Sequence, residues 1–269
     1  MTSEICLPLP RGGEGRGEGL RGLFLAVLLL TACPPAHVVT ADLVAKDQLT
    51  TTLTDAETAY AHRPDALEVR RAMTLFLSAS ASDETRIEGS IGVIRTVAWL
   101  IEHGVKEERA SLVATALAAG TQCQARAPKT ALCDYWDAVA RGLGARENPS
   151  TGLGEVKTIL ELLRRANAAQ PQLDDGGPSR VLALLLLRAP GWPVGPGDAD
   201  AGLAEAQKAL ALAPTHPLNQ LAVAEGLAAT GDTEGAKAAY LKAKELGLQR
   251  KDADGADWAA QAEAALKKL

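Results

Sequence analysis

The chain is poor in aromatic residues, with two Phe, three Tyr and four Trp in 269 positions. Alanine and leucine stand in their place, a composition that favours helices packed through small side chains. No long basic tract occurs, and 28 Lys and Arg against 33 Asp and Glu give a formal charge of -5. Nothing here is arranged to neutralise a phosphate backbone, which excludes a nucleic-acid surface. The four histidines, His37, His62, His103 and His216, lie far apart, and there is no His-Glu-x-x-His run to hold a catalytic metal. There is also no Gly-x-Ser-x-Gly elbow, and the Gly152/Gly154 pair lacks the preceding strand and third glycine of a phosphate cradle. The reading is therefore not an enzyme: no catalytic residue, no metal site and no cofactor is assigned.

What is present begins with an address. Leu23 to Leu30 is an apolar stretch preceded by Arg11, Arg16 and Arg21, and Leu30-Thr31-Ala32-Cys33 follows it. Charge followed by a short greasy core is the order of an export signal, and the core is too short to span a bilayer as a permanent helix. An apolar residue three positions before a cysteine, with small residues beside it, resembles the lipobox at which bacteria lipidate the cysteine and cut before it. The expectation is a signal peptide over residues 1–32, lipid on Cys33 and a short tether over 33–40. Residues 9–19 are Gly-rich and mixed in charge, unlike the start of such a signal, and a translation start near Leu20 would keep Arg21, the core and Cys33. Pro34 follows the cysteine where an inner-membrane retention signal would place Asp, so the expected location is the cell envelope, on the outer membrane facing the periplasm.

Two cysteines then remain beyond Cys33, namely Cys123 and Cys133. In an oxidising compartment an even pair points to a disulfide, and the ten-residue separation turns through Ala127, Pro128 and Lys129. Two separately buried thiols is the other reading.

Residues 41–269 read as one all-α domain: a tetratricopeptide-like solenoid of helical hairpins. An Ala five residues before a Pro recurs at Ala59/Pro64, Ala166/Pro171 and Ala209/Pro214. Thirty-four residues beyond Ala209 lies Ala243, and 34 is the period of the tetratricopeptide repeat. In the last unit Ala224 and Leu227 fall on a first helix, Thr230-Gly231-Asp232 on a turn, and Ala236, Tyr240 and Ala243 on a second helix. The alanines allow close helix approach and Tyr240 fills the space between neighbours. A capping helix is expected over 256–266. The N-terminal part, 41–145, shows Ile87, Ile91, Ile94, Ala98 and Ile101 at helical spacing.

Four residues stand out as candidates for ligand or partner contact. Trp192 lies in Ala189-Pro-Gly-Trp-Pro-Val-Gly-Pro-Gly197, a stiff loop that exceeds the repeat period. Its two readings are a Trp folded back over helix ends and a Trp offered to a partner. Arg180 stands at the mouth of an apolar helix running from Val181 to Leu187, where it either pairs with Asp174 or Asp175 or binds an anion. Tyr135 and Trp136 are the densest aromatic pair, either core packing or a cavity lining.

Cys133-Asp-Tyr135-Trp136, Gly142-Leu-Gly144, Asp175-Gly-Gly-Pro178, Ala189-Pro190-Gly191, Gly197-Asp198 and the repeat ending at Pro214 together resemble the T component of tetratricopeptide-associated TRAP transporters, the TatT type. The resemblance runs over about 133–248. It implies a helical, membrane-tethered lipoprotein that docks a periplasmic solute-binding protein, handles a small ligand and assembles as a homo-oligomer. The competing readings are an envelope enzyme or inhibitor on a repeat scaffold, and a purely structural assembly factor.

Overall fold

The computed structural model describes residues 42–269, leaving aside the side chains at 150 and 151. The signal peptide, Leu30, Thr31, Ala32, Cys33 and the tether lie outside these residues. Eleven α-helices make up the described chain: α1 (Leu49–Ala61), α2 (Ala66–Ser82), α3 (Glu88–His103), α4 (Arg109–Arg126), α5 (Ala131–Glu147), α6 (Pro149–Ala169), α7 (Gly177–Arg188), α8 (Ala199–Leu212), α9 (Pro217–Ala229), α10 (Thr233–Gln249) and α11 (Gly255–Leu266). A single 3-10 turn, Lys106–Glu108, precedes α4. No helix among the described residues is long and apolar enough to cross a membrane.

The helices start where short polar side chains can take the free amides of a first turn. Asp65 accepts from Leu67 N at 2.9 Å, Asp198 from Ala201 N at 2.9 Å and Asp232 from Gly235 N at 2.9 Å. Proline opens α6 and α9, where its missing N–H costs nothing. Between α9 and α10 the chain reverses at Gly231, whose φ of +89° is open to glycine at no steric penalty.

Each helix packs on the next, and each odd helix also meets the following odd helix. The odd helices therefore form the tighter inner row of a curved stack, and the even helices form the outer row. The core is a string of clusters. Phe76, Ile94, Leu100 and Ile101 centre the first, Ile159 and Leu163 the second, Ala183 and Ala206 the third, and Ala224, Ala236 and Tyr240 the last. This is an all-α helical-hairpin solenoid, as expected.

The repeat alanines Ala209, Ala224, Ala236 and Ala243 are fully buried, while Pro214 is exposed in the turn after α8. The Ala-x4-Pro spacing nevertheless marks both rows: Ala166 and Ala209 end outer helices α6 and α8, but Ala59 ends the inner helix α1. Helix termination before proline, and not repeat phase, is what the three sites share. In α3 the buried stripe is Val93, Ile94, Val97, Leu100 and Ile101, with Ile91 and Ala98 only half-buried. The apolar run of α7 is buried unevenly along its length. Its first half is largely buried, whereas Leu184 to Leu187 are half-buried, with Leu185 and Leu186 against the second core cluster.

Cys123, near the end of α4, and Cys133, in the first turn of α5, are joined as a disulfide with Cα atoms 5.3 Å apart. It clips this hairpin across the turn through Lys129.

Candidate functional site

The turn between α6 and α7 carries the densest buried polar network. Asp174 and Asp175 adopt φ of 49° and 53°, and Gly176 follows at 83°. Three consecutive left-handed residues fold the chain sharply against α8, where a Cβ at Gly176 would meet the Ala209 carbonyl at 3.0 Å. The reversal aims Asp174 inward. Its Oδ2 accepts from the Tyr135 hydroxyl at 2.5 Å and from Arg180 Nη2 at 2.6 Å. Arg180, 5% exposed, also donates through Nη1 to Asn219 Oδ1 at 2.8 Å. Asn219 then donates through Nδ2 to the carbonyls of Asp175 and Ala209, both at 2.9 Å. Four elements, α5, the turn, α7 and α9, are thus tied through one carboxylate and one guanidinium. Burial, reinforced by the Asp174 charge, pushes the Tyr135 hydroxyl well above its ordinary pKa, so it stays a donor.

His216 sits at the edge of this network. It is buried against the Trp258 ring, with centroids 5.1 Å apart, and its Nδ1 has no hydrogen-bond partner. Burial, assisted by the positive charge of Arg180 and opposed by Asp175 and Asp174, lowers its pKa to about 4. It is therefore neutral near pH 7. Tyr135, Arg180 and Asn219 are buried and Asp174 stays partly exposed at the turn, and the hydrogen bonds among the four make a brace between helices. Among the described residues, no group of three or more His, Cys, Asp or Glu is placed to hold a metal ion.

The accessible features lie on the other side of α7. A groove of about 630 Å³ opens between α6, α7 and α8, floored by Leu182, Leu186 and Ala201, with Arg164 and Lys208 among its charged lining. A second hollow of about 390 Å³ shares Asn167 and Lys208 with it and extends it toward Pro171. Pro196 and Asp198 close the other end, and from there projects the loop that carries Trp192. That loop is built, not slack. Gly197 N donates to the Pro190 carbonyl at 2.8 Å, Asp198 N to Leu186 O at 2.9 Å, and Val194 N to Gly191 O at 3.1 Å. A Cβ at Gly197 would fall 2.1 Å from the Ala189 carbonyl, so only glycine allows the two arms to meet. The frame presents Trp192 at 90% exposure with Val194 at 63% beside it.

The four candidate contact residues thus separate. Trp192 does not fold back over helix ends. Tyr135 is buried with its hydroxyl spent on Asp174, and Arg180 pairs with that same carboxylate, so neither has surface to give a ligand. Trp136 is half-buried, edge-on to Tyr135 at 4.9 Å, and packs between the first two core clusters. The structure brings Tyr135 and Arg180 together, but as a brace. Sequence reasoning passed over Asn219 and saw in His216 only one of four scattered histidines, although a His-Pro-Leu-Asn phrase opening an Ala-rich helix is a polar signal at a buried position. It also passed over Arg164 and Asn167, which read as ordinary solvated helix residues.

No family model and no curated protein matches the chain. Among solved structures it is similar to TTC0263, a thermophilic TPR protein of Thermus thermophilus, with a TM-score of 0.62 at 23% identity, over 81% of this chain and 99% of that one. It is also similar to the MamA protein, with a TM-score of 0.45 at 13% identity, over 76% and 94% of the two chains. The first likeness shows the fold, a tetratricopeptide-type superhelix.

Proposed function

We propose that this chain is a non-enzymatic docking scaffold, tethered to the membrane through lipid on Cys33, that engages a protein partner through the Trp192 loop and the groove beside it. The observation that carries this is the display of a nearly fully exposed Trp on a loop whose backbone is hydrogen-bonded into one shape. A large apolar ring held in advance loses little entropy on binding, which is how a few aromatic anchors come to dominate interfaces. The tetratricopeptide-type fold supports the reading, since stacked hairpins provide extended surface and little else.

In the finer form, the protein faces the periplasm from the outer membrane and serves a TRAP-type uptake system. Its partner is then a periplasmic solute-binding protein. The support is the resemblance of 133–248 to TatT-type components and the Leu30-to-Cys33 phrase. The test is a pull-down of the lipidated chain from its own envelope, with Trp192→Ala and Arg164→Ala beside it. A solute-binding protein retained by the parent and lost with Trp192→Ala is the expected outcome. A different protein lost in the same way keeps the docking site and removes the transport role. Equal recovery with both variants removes the site. Failure to label Cys33 with a lipid precursor removes the anchor.

A further inference from the structure

The two ends of the solenoid meet. Arg63, just beyond α1, donates through Nε and Nη2 to the two carboxylate oxygens of Asp254, just before α11, each at 2.8 Å. The guanidinium is steadied on its own side, with Nη1 donating to Tyr60 O at 2.7 Å and the Tyr60 ring 3.9 Å beneath it. A second bridge joins α3 to α11, where His103 Nε2 lies 3.3 Å from Asp257 Oδ1 and the imidazole stacks on Trp99. These contacts span 191 residues of chain in the first case, yet neither α1 nor α3 packs its backbone substantially on α11. Closure is made by long side chains across a gap, without a shared apolar core.

Midway along the chain between these contacts lies the thinnest junction in the stack. The contact of α6 with α7 is sparser than that of any other helix with its successor, and the groove between α6, α7 and α8 opens outward at the same place. Each half is well packed internally, α1 to α6 on one side and α7 to α11 on the other, and the Tyr135–Asp174–Arg180 brace with the Ile159, Leu163 and Leu182 cluster forms the pivot that crosses the seam. A stack with one thin seam and side-chain bridges between its two ends has a hinge and a fastener.

We infer that the Arg63–Asp254 pair, with His103–Asp257 beside it, is a latch that holds the superhelix closed over its inner row, and that its release lets the two halves swing apart about the α6–α7 seam. The pair is bidentate and its side chains are only 13% and 23% exposed, so it outlasts an ordinary surface ion pair. The rings that steady it, Tyr60 under Arg63 and Trp99 against His103, belong to the same half as the residues they hold, so the contacts across the gap are polar. The latch stands independently of which partner the scaffold binds.

The test uses the full chain with a donor and an acceptor dye on non-natural side chains at the exposed positions Leu67 and Leu248, which flank the latch in sequence. The parent chain is expected to show one short-distance population. Arg63→Ala is expected to shift most molecules to longer distances while helicity is unchanged, and the exchange pair Arg63→Asp with Asp254→Arg is expected to restore the short distance. An unchanged distance in a folded Arg63→Ala chain overturns the inference. If Arg63→Ala loses helicity, Asp254→Asn takes its place, and loss of helicity in both makes the pair part of the fold and equally overturns the latch.

Discussion

Asp174 serves two buried donors at once, and removing it strands both. Asp174→Ala leaves the Arg180 guanidinium buried without its counter-charge and the Tyr135 hydroxyl without an acceptor. The expected loss is about 3 kcal/mol, seen as a lower urea midpoint with helical content retained at zero denaturant. His216 acts in the opposite sense, since its neutral form is the one the fold accommodates. Its pKa is lowered from an ordinary 6.5 to about 4, so the folded chain binds fewer protons than the unfolded chain between those values. The stability from His216 is present in full above pH 6.5 and is lost as pH falls toward 4. Between about pH 7 and about pH 5 the loss is at most about 2 kcal/mol. Urea unfolding at the two pH values, repeated with His216→Gln, checks it: the substitution should flatten that part of the profile, and an unchanged slope assigns the acid sensitivity to other groups.

At the scale of single elements, the Trp192 loop and the α4–α5 clip make contrasting predictions. Trp192 makes its display from outside the core, so Trp192→Ala should move the melting free energy by less than about 0.5 kcal/mol while abolishing partner capture. A large stability loss would instead mean that the ring packs on the body in solution. Gly197→Ala should disturb binding without touching the ring itself, since the added methyl collides with the Ala189 carbonyl. Cys123 and Cys133 are both fully buried, and their bond closes a ten-residue loop. Replacing both with Ala should cost about 2–3 kcal/mol in the loop-entropy picture, measured by denaturant unfolding under non-reducing conditions.

Across the whole molecule, stability travels from hairpin to hairpin, so a defect at the thin seam matters more than its size. Leu163 is fully buried in the cluster that spans α5, α6 and α7. Leu163→Ala should cost about 2–5 kcal/mol and split one unfolding transition into two, because it loosens the coupling between halves that are each well packed. A single transition shifted to lower denaturant would show that the seam is as cooperative as the other junctions.

Helix class and repeat were legible in the residues because both are local. Alanine at close-packing positions, proline after helix ends and the 34-residue return from Ala209 to Ala243 are properties of short stretches of chain, and Asp198 and Asp232 cap helices through neighbours three residues away. The stiffness of the 189–197 loop was legible for the same reason, since glycine and proline restrict backbone locally. What the loop does with Trp192 was not, because exposure depends on whether any other element lies over it. Arg180 was visible as a charge in need of a partner, and Asp174 was one of two choices. Selecting it required three left-handed residues in a row, and placing Tyr135 and Asn219 on the same pair required α5 and α9 to converge from 39 residues away on either side. The pairing of Arg63 with Asp254 lay furthest from the sequence. Nothing within either segment refers to the other, and only the accumulated curvature of the intervening hairpins brings them to 2.8 Å.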